Sequence, residues 1–243
     1  MNALASARSS EAVVTPFRRF VRSFMASRLA VSGLVLVLAL VLLALFAPFI
    51  APQNPYDLQQ LDFMDGKLAP GSQNMDGTLT YWFGTDDQGR DLLSGILYGL
   101  RTSLLVGVSS AFIALLVGAA AGLFAAYRGG WADTLIMRVV DIQLSFPAIL
   151  IALILLAILG QGVDKITIAL VGTQGAYYAR TVRGSALVER RKEYVEAARC
   201  LALSPARIIF RHLLPNCLPP LIVVVTRRVA YAVSLEATLS FLG

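Results

Sequence analysis

The sequence predicts an all-α integral membrane protein, a polytopic helical bundle of about five spans with its N-terminus inside and an outer loop after the first span. Three observations carry that prediction. Apolar residues make up 57% of the chain and charged residues only 15%, a balance suited to hydrocarbon rather than to a soluble core. The apolar residues fall in runs long enough to cross a bilayer at about 1.5 Å of rise per residue. The net charge of +6 is segregated along the chain, as expected of loops on opposite membrane faces. Nucleic-acid binding would need a basic face on a soluble fold, so no nucleic-acid partner is expected.

Residues 1–28 form a basic arm on the cytoplasmic side, with Arg8, Arg18, Arg19, Arg22 and Arg28 against the single acid Glu11. Phe17, Phe20, Val21 and Phe24 among the arginines predict an interfacial amphipathic helix. Residues 29–50 are the first span. Their apolar run is too long for a signal peptide, and Pro48 and Pro52 mark its end, so the span is read as uncleaved. Residues 51–101 are the outer (periplasmic) loop: Asp57, Asp62, Asp65, Asp76, Asp86, Asp87 and Asp91 outweigh Lys67 and Arg90 up to Gly99. Within it, Phe83-Gly84-Thr85-Asp86-Asp87-Gln88-Gly89-Arg90-Asp91 predicts a surface turn with a helix cap at Thr85 or Asp86. It lacks the alternating oxygen ligands and distal Glu of a calcium loop, so no metal is expected.

Residues 102–243 form the core. A second span over 102–127 is thinned by small residues, with Gly118 and Gly122 as a GxxxG pair fit for packing within the subunit or against a second one. Trp131 suits the membrane interface. Asp133, Arg138 and Asp141 delay the next entry into lipid, with Asp141 placed three residues after Arg138 for a helical ion pair. Pro147 opens or kinks a third span that runs to Leu159. The fourth span, 166–179, holds Gly172, Thr173, Gln174 and Gly175. Polar groups at that depth pack against protein or line a watery path, which makes Gln174 a candidate path residue.

The fifth span, 218–242, contains Arg227, Arg228 and Glu236. A charge at the bilayer centre costs about 2.5–3.5 kcal/mol on insertion scales. The arginines therefore either snorkel to the inner face or, with Glu236, line a cavity on the translocation path. An arginine-lined cavity would favour an anionic or carboxylate-bearing solute.

Between the fourth and fifth spans lies a basic island, residues 184–216. Leu187, Tyr194, Val195, Ala198 and Leu201 give a helical apolar stripe. Ser204-Pro205 then supplies a stop and a new start, and a second helix through Ile208, Ile209 and Phe210 ends near Pro215. The prediction is a helix-turn-helix between spans, shaped to dock on another protein. Cys200 and Cys217 are expected to be free thiols on the cytoplasmic side.

The string Glu196-Ala197-Ala198, then Ala202, then Leu214-Pro215, resembles the EAA loop of bacterial ABC-importer permeases. With Glu193-Tyr194-Val195 before it, Arg211-His212-Leu213-Leu214-Pro215-Asn216 within it, and the FGTDDQGRD block upstream, the chain is similar to the dipeptide, oligopeptide and nickel branch of the binding-protein-dependent transport family, second permease type. One position departs: the family usually has Gly where this chain has Ala202, and Ala in a left-handed conformation would cost about 1 kcal/mol. The family also usually has small or apolar residues where this chain has Arg227 and Arg228.

The resemblance implies a permease subunit in the bacterial inner membrane, in which Glu193, Glu196, Ala197, Ala198, Ala202, Leu214 and Pro215 couple ATPase motion to alternating access. It implies a second permease subunit, two cytoplasmic ATP-binding subunits and a periplasmic substrate-binding protein as partners. ATP and Mg would be bound by the partner ATPase, with no cofactor in this chain. The family usually has six spans, and a chain stopping at Gly243 is read as lacking the last. A remnant that docks an ATPase without transporting is therefore the alternative, with a membrane-anchored enzyme on the Asp-rich loop behind it. The chain holds no GxxxxGK[S/T], no GxSxG and one histidine, His212, so no enzyme activity is expected.

Overall fold

The computed structural model describes residues 16–242. The start of the basic arm, with Arg8 and Glu11, and the terminal Gly243 lie outside the described residues. The chain forms two compact units, residues 1–101 and 102–243.

In the first unit, α1 (Pro16–Ala26) precedes α2 (Arg28–Ile50). Helix α1 sets Phe20, Val21 and Phe24 against Arg18, Arg19 and Arg22, as its helical spacing requires. Ser27 breaks the pair and caps α2, its hydroxyl accepting the Ala30 N–H at 3.3 Å. The segment after α2 is built from short turns and a two-residue hairpin, β1 (Ser72–Gln73) antiparallel to β2 (Thr80–Tyr81). Its anchor is Asp65, 4% exposed, which accepts the Tyr81 hydroxyl at 2.9 Å and the Met75 N–H at 3.2 Å. Burial first, then that bond to Asp65, pushes the Tyr81 phenol up to about 12, so it stays a donor.

The helix cap falls elsewhere than the sequence suggested. Asp91, fully buried, accepts the Ser94 N–H at 2.8 Å and the Ser94 hydroxyl at 2.6 Å. It thus starts α3 (Leu92–Arg128) about ten residues before the predicted second span. Thr85 instead accepts the Leu68 N–H and donates to the Asp65 carbonyl, while Asp86 closes a turn by accepting the Gln88 and Arg90 N–H groups. Asp91, directly before the helix, is placed to accept one of its free N–H groups, whereas Thr85 and Asp86 are spent on the loop.

The second unit is the rest of α3 with α4 (Gly130–Ser145), α5 (Ala148–Leu159), α6 (Val163–Glu189), α7 (Glu193–Cys200), α8 (Pro205–Ile208) and α9 (Leu214–Leu242). Helix α6 is its axis and packs against α4, α5 and α9. The Gly118–Gly122 pair is spent on that axis. A Cβ on Gly118 would lie 2.4 Å from the Gly175 carbonyl oxygen, and one on Gly122 would lie 2.4 Å from that of Ala179. The GxxxG seam is therefore a contact of α3 with α6 inside the subunit.

Helices α4 and α5 meet at 96°. Pro147, in an extended conformation, forces the break: it has no N–H to continue α4, and its ring excludes helical geometry at Phe146. The predicted third span is thus one arm of a broken pair. Asp141 does not pair with Arg138. It bonds Arg180 of α6, and Asp133 holds Arg183 of α6 in a two-pronged pair at 2.5 and 2.6 Å. A fork on one carboxylate is worth more than a helical neighbour.

Among the described residues, Arg28–Ile50, Leu92–Arg128 and Pro205–Leu242 are long and apolar enough to cross a membrane, and the bent α4–α5 pair makes a fourth if it is one span. Helix α6 is longer than a bilayer requires. Its Gln174 and its charges, Asp164, Lys165, Arg180 and Arg183 among them, leave it less apolar than those helices. The fold is an all-α polytopic membrane bundle.

Candidate functional site

The basic island divides as the sequence suggested at one joint and differently at two. Leu187 belongs to the end of α6, and a turn through Arg190–Lys192 separates it from α7. Glu193 and Glu196 lie in the first turn of α7 and Arg199 in its last, each with the sign that its helix end favours. Val195 and Ala198 point inward, at 0% and 3% exposure, into a cluster with Leu123, Ala126, Tyr178, Val182, Ala186, Ile208 and Leu213. Glu193, Glu196, Ala197 and Leu201 face outward, Leu201 at 73%.

The end of α7 explains Ala202. Its φ is +52°. The Leu203 N–H bonds the Ala198 carbonyl at 3.2 Å and the Ala202 N–H bonds the Arg199 carbonyl at 2.9 Å. These two bonds define a Schellman ending with Ala202 in the left-handed position that glycine usually fills. Leu203 and Ala198 both pack in the core cluster, the apolar contact that accompanies this ending. The departure from the family pattern leaves the turn in the glycine-like shape.

Ser204 sits at the cap of α8 without a side-chain bond, and Pro205 takes the first helical position. The second helix does not end near Pro215. Residues Ile209–Leu213 wind one wider π turn, with the Leu214 N–H reaching the Ile209 carbonyl, and α9 follows directly. Proline lacks an N–H and crowds the carbonyl four residues back. The wide turn immediately before Pro215 accommodates that defect, so helix runs on from Pro205 to Leu242. Helix α8 is therefore continuous with α9. Leu214 packs on the core cluster, and Pro215 is exposed.

Polar bonds tie this region together. Tyr194 donates to Glu189, while Asn216 donates to the Tyr194 hydroxyl at 3.0 Å and to the His212 carbonyl at 2.7 Å. Lys192 bonds Glu189 at 2.7 Å. One chain of bonds thus joins the end of α6, α7 and the start of α9. Lys192 and then Tyr194 hold the Glu189 carboxyl below its usual range. Burial and then Glu189 push the Tyr194 phenol up to about 12. Arg190 donates to the Ala126 carbonyl at 2.6 Å, closing the C-terminal end of α3. Around this brace the surface is basic and apolar: Arg207, Arg211 and Phe210 are exposed, as is the thiol of Cys200, whereas Cys217 is buried.

The candidate path residues separate into two places. Gln174 and Glu236 are buried, at 0% and 4% exposure, and both side-chain polar atoms of Gln174 and Oε2 of Glu236 lack a hydrogen-bond partner. Arg227 and Arg228 instead line an open cavity of about 380 Å³ between α6 and α9, with Tyr177, Thr181, Val224 and Tyr231. The guanidinium carbon of Arg228 lies 3.2 Å from the Tyr177 ring centroid and 5.4 Å from that of Tyr231. Tyr177, Thr181 and Tyr231 carry no sequence signal of this role, because their spacing is that of any amphipathic helix.

Residues 115–243 match the family described as the binding-protein-dependent transport system inner membrane component, and residues 15–70 match the N-terminal TM domain of oligopeptide transport permease C. The di/tripeptide transport system permease protein DppC of Pseudomonas aeruginosa is 38% identical, the match covering 100% of this chain and 80% of that protein. The glutathione transport system permease protein GsiD of Pectobacterium atrosepticum is 35% identical, over 96% and 74% respectively. The dipeptide transport system permease protein DppC of Alkalihalophilus pseudofirmus is 36% identical, over 95% and 72%. A solved structure of the MetNI methionine ABC transporter, inward facing, superposes with a TM-score of 0.54 at 23% identity, covering 61% of this chain and 74% of that one, which shows a shared fold.

Proposed function

The chain belongs to the family of binding-protein-dependent transport system inner membrane components and is a membrane-spanning permease subunit of an ABC importer, and from that premise we propose that it imports di- or oligopeptides or a related small solute. The names of the relatives support a peptide-like cargo, since they are described as carrying dipeptides, di- and tripeptides, or glutathione. The permease sits in the bacterial inner membrane beside a second permease subunit. Two cytoplasmic ATP-binding subunits bind ATP and Mg, and an external binding protein delivers the cargo. This chain itself catalyses no reaction.

One observation carries the coupling role: a helix seated by its inner face on the core and tied by side-chain bonds to the end of α6 and the start of α9. Val195 and Ala198 fix α7 to the core, while Glu193, Glu196, Ala197 and Leu201 stand on its outer face. An ATPase groove that grips that outer face and moves on binding ATP drags α7. The bonds from Glu189 through Tyr194 to Asn216, and the continuous helix from Pro205, carry the displacement into α6 and α9. Ala202, Leu214 and Pro215 shape the joints rather than the contact. Alternating access then follows from tilting α6 and α9 about the packed seam with α3.

The test is co-purification of the tagged chain with its ATP-binding subunits from detergent. Glu196→Lys and Leu201→Asp, both on the outer face, are expected to abolish recovery of the ATPase while the permease stays monodisperse. Ala198→Asp places an unpaired charge in the core cluster and is expected to destabilise the permease itself. Full ATPase recovery with both outer-face variants would remove α7 as the docking helix.

A further inference from the structure

We propose that the cavity between α6 and α9 receives the carboxylate of the transported solute, gripped by Arg228 and Arg227. This inference rests on the reading of the chain as an importer of peptide-like solutes, because such a solute carries a terminal carboxylate. The first ground is position. Arg227 and Arg228 lie about 20 Å of helical rise beyond Leu214, well inside α9 rather than at its end. An ionised side chain at that depth needs a partner or a watery cavity.

The second ground is the missing counter-charge. Among the described residues neither arginine has a carboxylate within 4.0 Å, although Asp133 and Asp141 hold Arg183 and Arg180 in the same unit. On α9 itself the nearest acid is Glu236, about 12 Å further along the axis and buried. The third ground is preorganisation. The Arg228 guanidinium carbon stands over the Tyr177 ring, a contact that restricts where the side chain can swing. A guanidinium edge matches a carboxylate in two parallel bonds. Thr181 and Tyr231 line the same cavity, whose 380 Å³ is within the usual range for small-molecule sites. Two adjacent guanidiniums repel a bare divalent cation, so the same geometry argues against free nickel as cargo.

The experiment uses the whole transporter in proteoliposomes: this chain, its permease partner, the ATP-binding subunits and the binding protein. ATP-driven uptake of radiolabelled dialanine is compared with that of dialanine amide, which lacks the carboxylate. The readout is the preference of each variant divided by that of wild type, so selection by the binding protein cancels. The double variant Arg227→Gln/Arg228→Gln is expected to lose about tenfold in preference, the worth of one charged hydrogen bond. Arg228→Lys keeps the charge but loses the fork and the stack, and is expected to lose several-fold; it carries the test if the double variant fails to assemble. A preference equal to wild type in the variants overturns the proposal, including the case where uptake follows anionic lipid content and the arginines hold a lipid phosphate. Wild-type vesicles that import neither compound would instead remove the peptide-importer reading itself, and this proposal with it.

Discussion

Ala202 holds a φ of +52°, a conformation whose cost for an L-residue with a Cβ is about 1 kcal/mol. Its two Schellman bonds and the burial of Leu203 with Ala198 hold it there. Ala202→Gly is therefore expected to raise the thermal midpoint of the detergent-solubilised protein by the equivalent of about 1 kcal/mol; a lower midpoint would show that the left-handed turn is not strained. A helix stop was legible at Ser204-Pro205, and only the resemblance to the EAA loop pointed to a left-handed turn at this residue. The brace through Glu189, Tyr194 and Asn216 was not. Tyr194 and Asn216 are 22 residues apart in sequence, and only the antiparallel return of α9 beside α6 brings them together. The same reason hid the true partner of Asp141, since Arg180 is 39 residues away while Arg138 is the neighbour a helix wheel offers.

At the scale of elements, apolar run length located the long helices well, because hydrocarbon thickness fixes how many residues a span needs. Joints were harder. Pro147 marked a break in the chain, but its 96° angle depends on what α4 and α5 pack against. Pro215 looked like a stop and is instead carried through by the π turn of Ile209–Leu213, which has no composition of its own. The GxxxG pair left its partner open, and the backbone of α6 against Gly118 and Gly122 identifies it. Gly122→Val inserts side-chain atoms where the Ala179 carbonyl oxygen stands 2.4 Å from a Cβ. It is expected to destabilise the bundle by about 1–3 kcal/mol, read as a lower thermal midpoint in detergent. A wild-type midpoint would mean that α3 and α6 do not pack through this seam.

At the scale of the whole molecule, the bonds through Glu189, Tyr194 and Asn216 join α7 to α6 and α9, which share an arginine-lined cavity. The family was legible because EAA-type residues are local in sequence. The cavity was only half legible: Arg227 and Arg228 stood out in an apolar run, whereas Tyr177 and Thr181 became part of it only through the packing of α6 on α9. The coupling claim is the centre of the account, and Cys200 reports on it without any engineered residue. It is an exposed thiol at the end of α7, while Cys217 is buried. The measurement is the rate of maleimide labelling of Cys200 in membranes with and without the ATP-binding subunits, and with and without ATP. Labelling is expected to slow when the ATPase is present and to change again on ATP binding. A labelling rate unaffected by the ATPase in either nucleotide state would contradict it, because α7 would then not be the surface that the ATPase covers.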